Sequence, residues 1–298
     1  MLDIPTLDAL DLSLWLQSGV EAARVSDCVP STIVRRVDTA LSTFGLTLRR
    51  SRNGWSLRGD QELLHLEREI HQLHRFQGGG RLRLELPCWT LQQLQGELPG
   101  RWLGPALQER PPCGNPVDLL RRRVIDAALM TPTQLASAGL PCPDSRPLHQ
   151  QGLQVHALYS SQIQLYGCSE DPDLPLPEDV IGAWATDQLS LKLPQFLPLS
   201  CQEACRLRFR NLAPAGARRR LRSLPATTPW SACFLTPQMA ALLPPHWQPL
   251  ATPLDWPYSE TLVVLEEHAA HPQVLELLSF LAASLGTAVE PAALRQVA

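Results

Sequence analysis

Lysine is nearly missing: of the 26 basic residues only Lys192 is a lysine, an arginine preference that reads as compositional bias rather than chemistry. No apolar run is long enough to cross a bilayer, and the first residues lack the charged, apolar and small-residue zones of a leader. Both absences point to the cytoplasm, where the eight irregularly spaced cysteines are expected to be reduced. Cys201 and Cys205 share a helix face, but no second close Cys/His pair accompanies them, so buried thiols are expected there rather than a metal. Glycine-flanked serine, phosphate-loop, dinucleotide and His-Glu-x-x-His patterns are all lacking. Asp126, an acid on an apolar segment, has no evident partner in sequence. Catalytic residues and cofactors are therefore not expected, and an enzyme is not the reading. A net charge of −3 advertises no nucleic-acid binding, yet steering depends on where charge sits, and arginines gather between 49 and 58.

What is present starts with length. At 298 residues with 44% apolar content, the chain is expected to form a small and a large domain. Leu7, Leu10, Leu14 and Trp15 predict an amphipathic first helix with Asp8 and Asp11 early in it, where the helix dipole favours acids. Gly19 to Leu48 then reads as two short helices. Ala22-Ala23 marks the first, Ser26-Asp27-Cys28 the turn, and Pro30 opens the second, where its missing N–H costs nothing. Ile33, Val37, Leu41 and Phe44 form one stripe, and Ser31, Thr32, Arg35 and Arg36 lie opposite. Hydroxyls and arginines near the start of a second helix are the layout of a DNA-reading helix-turn-helix. After Gly45, Asn53-Gly54 predicts a hairpin, because a tight turn there needs positive φ. Arg49, Arg50, Arg52 and Arg58 on it would meet phosphates or a minor groove.

These residues resemble the winged helix-turn-helix of LysR-type transcriptional regulators. Ala22-Ala23, the segment from Pro30 to Val37 and the helix-ending Gly45 fall in that family's order. Ser26 stands where the family has leucine, Val34 where it has serine, and the segment after Gly45 is shortened. The resemblance implies an α/β chain in three parts: a winged helix-turn-helix DNA-binding domain over 1–59, a dimerising linker helix over 60–77, and an effector-binding regulatory domain over 81–298. The last resembles periplasmic binding proteins, with one subdomain at about 81–160 and 267–298 and another at about 161–266.

The chain itself supports that division. Leu63, Leu66, Ile70 and Leu73 recur at alternating three- and four-residue steps, a seam that usually pairs with another helix. Polar Glu62, Glu67, Arg68 and Glu69 flank it, and His65, His71 and His74 are expected at its surface or interface. Gly78-Gly79-Gly80 breaks the helix. Strands are expected at 82–86, 102–107, 124–129, 153–158, 162–166, 189–193 and 261–265. Helices are expected near 91–98, 115–123, 201–209 and 274–285, with an irregular stretch at 131–152. Alternation of this kind argues for an α/β sheet with crossovers.

In such folds small molecules bind beyond the carboxyl ends of strands, near helix N-termini. The candidate effector residues are accordingly Cys88, Trp89, Thr90, Met130, Thr131, Ser200 and Cys201. Few of them carry charge, so a neutral or weakly anionic effector is expected. The resemblance implies a regulator whose partners are double-stranded promoter DNA, a small-molecule effector and further copies of itself, as homodimer and homotetramer. The alternatives are a ligand-responsive assembly protein with a degenerate helix-turn-helix, or a redox sensor using Cys88, Cys201 or Cys205.

Overall fold

Leu7, Leu10 and Leu14 fall on one side of the first helix, but Ala9, Leu12 and Leu16 fall on the others. In the computed structural model that helix, α1 (Ile4–Leu16), is buried at every position from Ala9 to Leu16. A helix that is apolar all round belongs in a core. The amphipathic helix expected from sequence is thus corrected: α1 is packed by α2 (Gly19–Val25) and α3 (Pro30–Phe44) and also joins the apolar core of the larger domain. The structure describes residues 2–51, 54–94, 97–105, 115–140, 148–169, 189–191, 230–241, 247–250 and 257–285.

The Asp3 side chain caps α1 by accepting from Thr6 N–H, and Ser18 caps α2 by accepting from Glu21 N–H. Gly45 ends α3 at φ +63°, a left-handed position that suits glycine. The chain then turns into β1 (Thr47–Ser51) and β2 (Gly54–Arg58), an antiparallel pair. Gln17 at the end of α1 clamps this hairpin, donating to Leu14 C=O and accepting from Trp55 N–H. Gly54 stands at φ +104°, a backbone conformation that favours glycine, and packs closely on the Gln17 amide. Three helices and a hairpin make a winged helix-turn-helix. Next come α4 (Glu62–His74) and a wider turn of helix, Arg75–Gly79, broken at Gly78.

Two sheets follow. The first has six strands in the order β4 (Trp102–Leu103), β3 (Leu82–Glu85), β5 (Ala127–Met130), β12 (Pro257–Leu265), β7 (Leu153–Gln162), β6 (Leu148–Gln150). Its β4, β3 and β5 are parallel, and β12 runs antiparallel between β5 and β7. The second has four strands in the order β11 (Gln248–Pro249), β8 (Gln164–Ser169), β10 (Trp230–Leu235), β9 (Leu189–Leu191). Strand β7 leads straight into β8 and so carries the chain from one sheet to the other, giving a two-lobed domain. The return is earlier than the expected boundary near 266, because β12 pairs with β7 from Pro257 onward.

Helices α5 (Cys88–Gln93), α6 (Pro116–Arg121), α7 (Pro132–Ser137), α8 (Pro237–Ala240) and α9 (Pro272–Leu285) complete the described elements. Alternation in the strands splits the core. Leu82, Leu84, Leu129 and Leu262 share one cluster with Val274, Leu277 and Leu281 of α9 and with Leu165 and Leu235 of the second sheet. Ala128, Met130, Val155 and Val263 share another with α6, α7 and the winged helix-turn-helix, including Leu7, Leu10 and Trp15. The stretch 131–152, expected to be irregular, contains α7. Thr131 and Gln134 cap it reciprocally, each side chain accepting from the other's backbone N–H. The expected helix at 201–209 lies outside the described residues.

Candidate nucleic-acid interface and effector cleft

The stripe read from the sequence fixes how α3 faces. Ile33, Val37 and Ala40 are buried against α1 and α2. Turned outward are Ser31, Val34, Arg35, Asp38, Thr39, Ser42 and Thr43, all along one shallow recess on the helix. Thr32 and Arg36 are half-buried. Val29, just before Pro30, supplies no side-chain cap, and its backbone C=O accepts from Thr32 N–H at 2.9 Å. The turn between helices is held by Ser26 N–H donating to Ala22 C=O and Cys28 N–H to Ala23 C=O.

Beside this helix the wing exposes Arg49, Arg50 and Arg58. The Arg50 guanidinium lies 4.3 Å from the Trp55 ring centroid, an arrangement that orients the cation without neutralising it. Arg52 lies outside the described residues. Between α3 and the wing is a cleft of about 370 Å³ walled by Ile33, Val37, Leu41, Leu48 and Trp55. Ser31, Arg35 and Arg50 therefore stand exposed on adjoining elements, with Thr32 and Arg36 partly withdrawn.

Helix α4, expected as the linker, has two unlike sides. Leu63, Leu66, Ile70 and Leu73 are 70%, 57%, 50% and 45% exposed, an apolar stripe that the chain's own fold leaves open. Behind them Leu64, Arg68, His71 and Gln72 are buried. Arg68, expected on a wet flank, donates through Nε and Nη2 to Asp11 Oδ1 at 2.8 and 2.6 Å. Asp11 sits in the middle of α1, since the helix begins at Ile4, so this pairing and not the helix dipole accounts for it. His71 is also buried, and the same burial lowers its pKa below the ordinary value, against the pull of nearby Asp8 and Glu67.

A second polar cluster fastens the end of the linker to the first sheet. Fully buried Asp126 accepts from Arg75 Nη2 at 2.8 Å, Arg75 Nε at 3.0 Å, Gln72 Nε2 at 3.0 Å and Arg83 N–H at 2.8 Å. Asp126, without an evident partner in sequence, is the most heavily bonded carboxylate described. Gln72 Oε1 in turn accepts from Arg123 at 2.6 Å and lies 3.3 Å from His268 Nε2. The pKa of His268 is lowered by burial, with the Glu267 carboxylate opposing. On the other side of this cluster the Arg83 guanidinium pairs with Asp8, and Trp15 Nε1 donates to Glu85 at 2.6 Å. The winged helix-turn-helix, α4 and the first lobe thus share buried ion pairs that no sequence periodicity reveals.

Among the effector candidates, Thr90 is fully buried and its hydroxyl donates to the Glu260 carboxylate, 3.1 Å from both oxygens. Tyr258 Oη donates to the same group at 3.1 Å. Glu260 is 4% exposed, and the strand register shifts between it and Thr261, so the carboxylate sits at an irregularity in β12. Sequence reasoning missed Glu260. Met130 is fully buried in the core beneath α7, and the Thr131 hydroxyl is engaged in its capping box. Cys88 and Trp89 contribute backbone to α5, while their side chains, with Ser200 and Cys201, lie outside the described residues. No described helix is long and apolar enough to cross a membrane.

No family model and no curated protein matches the sequence. Solved structures similar to the chain include ArgP from Mycobacterium tuberculosis, at 16% identity over 97% of this chain and 99% of that one, with a TM-score of 0.48. CrgA, a LysR-type transcriptional regulator from Neisseria meningitidis, is similar at 15% identity over 96% and 100%, with a TM-score of 0.41. Vibrio fischeri DarR in complex with DNA is similar at 13% identity over 95% and 99%, with a TM-score of 0.41.

Proposed function

We propose that the chain is a DNA-binding transcriptional regulator of the LysR type, modulated by a small molecule in its two-lobed domain. The observation that carries this reading is the orientation of α3. One side is locked into the core while the other offers Ser31 and Arg35 to solvent beside a wing bearing Arg49, Arg50 and Arg58. A helix so presented fits a major groove, and wing arginines supply the phosphate contacts that set affinity and its salt dependence. The open stripe on α4 fits a second copy of the chain, which would place two reading helices on one duplex; two such dimers would form the tetramer. Thr90 and Glu260 stand at the proposed effector site. A carboxylate there disfavours an anion, so of the neutral or weakly anionic effector expected from sequence the neutral one is favoured.

Selection from a random duplex pool, followed by gel-shift titration, tests the reading. Arg35→Ala should weaken binding to the selected duplex by about 1–3 kcal/mol while leaving the circular dichroism spectrum unchanged. Equal affinity of variant and wild type would remove α3 from the interface.

A further inference from the structure

We propose that Val34 sets base preference by packing on the C5-methyl group of a thymine, an inference that rests on the DNA-binding reading above. Val34 is 53% exposed in the second turn of a helix where Ile33, Val37 and Ala40 are buried and Leu41 and Phe44 half-buried, and it stands at the border of the cleft between α3 and the wing. The core therefore has no use for it. It lies along the same recess as Ser31, Arg35 and Asp38, on the side of α3 turned away from α1 and α2. A valine has no donor or acceptor to offer a phosphate or a base edge. In the major groove the one apolar feature that distinguishes a base pair is the thymine methyl, and small apolar side chains recognise it by contact. Val34 is flanked by groups of the opposite kind. Ser31, one turn earlier, and Arg35, the next residue, can both donate hydrogen bonds, so a polar anchor is available on either side of the apolar contact. Asp38, one turn later, repels phosphate and keeps that part of the helix on base edges rather than on the backbone.

The test uses the full chain and a duplex selected from the random pool, in which each thymine is replaced singly by deoxyuridine, which removes only the methyl. Wild-type protein should lose about fourfold in affinity at one thymine per half-site, the equivalent of about 0.8 kcal/mol for one buried methyl-sized group. Val34→Ala should bind the unmodified duplex several-fold more weakly and be nearly indifferent to that deoxyuridine. Indifference of the wild type to every replacement overturns the proposal, as does a penalty of the same size in Val34→Ala, which would assign the methyl to another residue. A pool that yields no enriched duplex overturns the DNA-binding reading and this inference with it. Retained binding without methyl dependence overturns this inference alone.

Discussion

Removing the Asp126 carboxylate should be among the most damaging single changes to this protein. Asp126 is fully buried, and Arg75, its main partner, has a side chain only 5% exposed. Burial works against the Arg75 charge, but Asp126, joined by Asp11 and Asp8, more than offsets it and holds the guanidinium pKa above its ordinary value. Asp126→Ala strands that cation in the interior and leaves Gln72 Nε2 and Arg83 N–H without their acceptor. Breaking a buried pair from one side costs about 3–5 kcal/mol. For a chain of this size each kcal/mol moves the melting temperature by roughly 2–4 °C, so a fall of roughly 6–20 °C is expected. Differential scanning fluorimetry of wild type, Asp126→Ala, Arg75→Met and Arg75→Met/Asp126→Ala closes the cycle. Deleting both charges together should cost clearly less than the sum of the single losses, because neither ion is then left alone. Additive losses, or an Asp126→Ala variant within about 1 kcal/mol of wild type, would refute the reasoning.

Two further expectations follow from the same structure. Leu66→Glu places a charge on a residue 57% exposed within the chain, so the fold should be unaffected to within about 0.5 kcal/mol; sedimentation velocity should show the proposed dimer for wild type and a monomer for the variant, and equal sedimentation of the two would take the stripe out of any interface. His156 is buried, its Nε2 has no partner among the described residues, and burial, helped by His149, lowers its pKa to about 4 from 6.5. Because the folded value is depressed, the unfolded chain takes the proton first as pH falls, and stability should drop between about 6.5 and 4. In urea titrations wild type should lose about 2–3 kcal/mol between pH 7.5 and 4.5 through this group, a loss that His156→Gln lacks and that the difference between the two curves therefore contains. Identical pH slopes for the two proteins would refute it.

The parts legible in the sequence are those written locally. The stripe of α3, its glycine stop and the hairpin after it are patterns of a few residues, and each matches an observed element. The seam on α4 is legible for the same reason. Thr131-x-x-Gln134 is a local signal too, and could have predicted α7 before the structure did. What escaped is non-local. Asp11 and Arg68 are 57 positions apart, Trp15 and Glu85 are 70, and Thr90 and Glu260 are 170, so no spacing rule joins them. The error over α1 has the same origin. Its extra apolar residues have no purpose within the small domain, and become intelligible only when a distant sheet supplies the other wall.

One consequence of the two-sided α4 remains. Its inner side is bolted through Arg68 and Gln72 to the protein's own body, while Leu63, Leu66, Ile70 and Leu73 point away from it. A single α-helical cylinder advances about 100° per residue, and both sides turn together. Any rearrangement of the lobes that rolled this rod to relieve its inner bolts would therefore swing the outer leucines by the same angle. In the proposed dimer, a signal received inside one molecule would thereby have a mechanical route to the spacing of two.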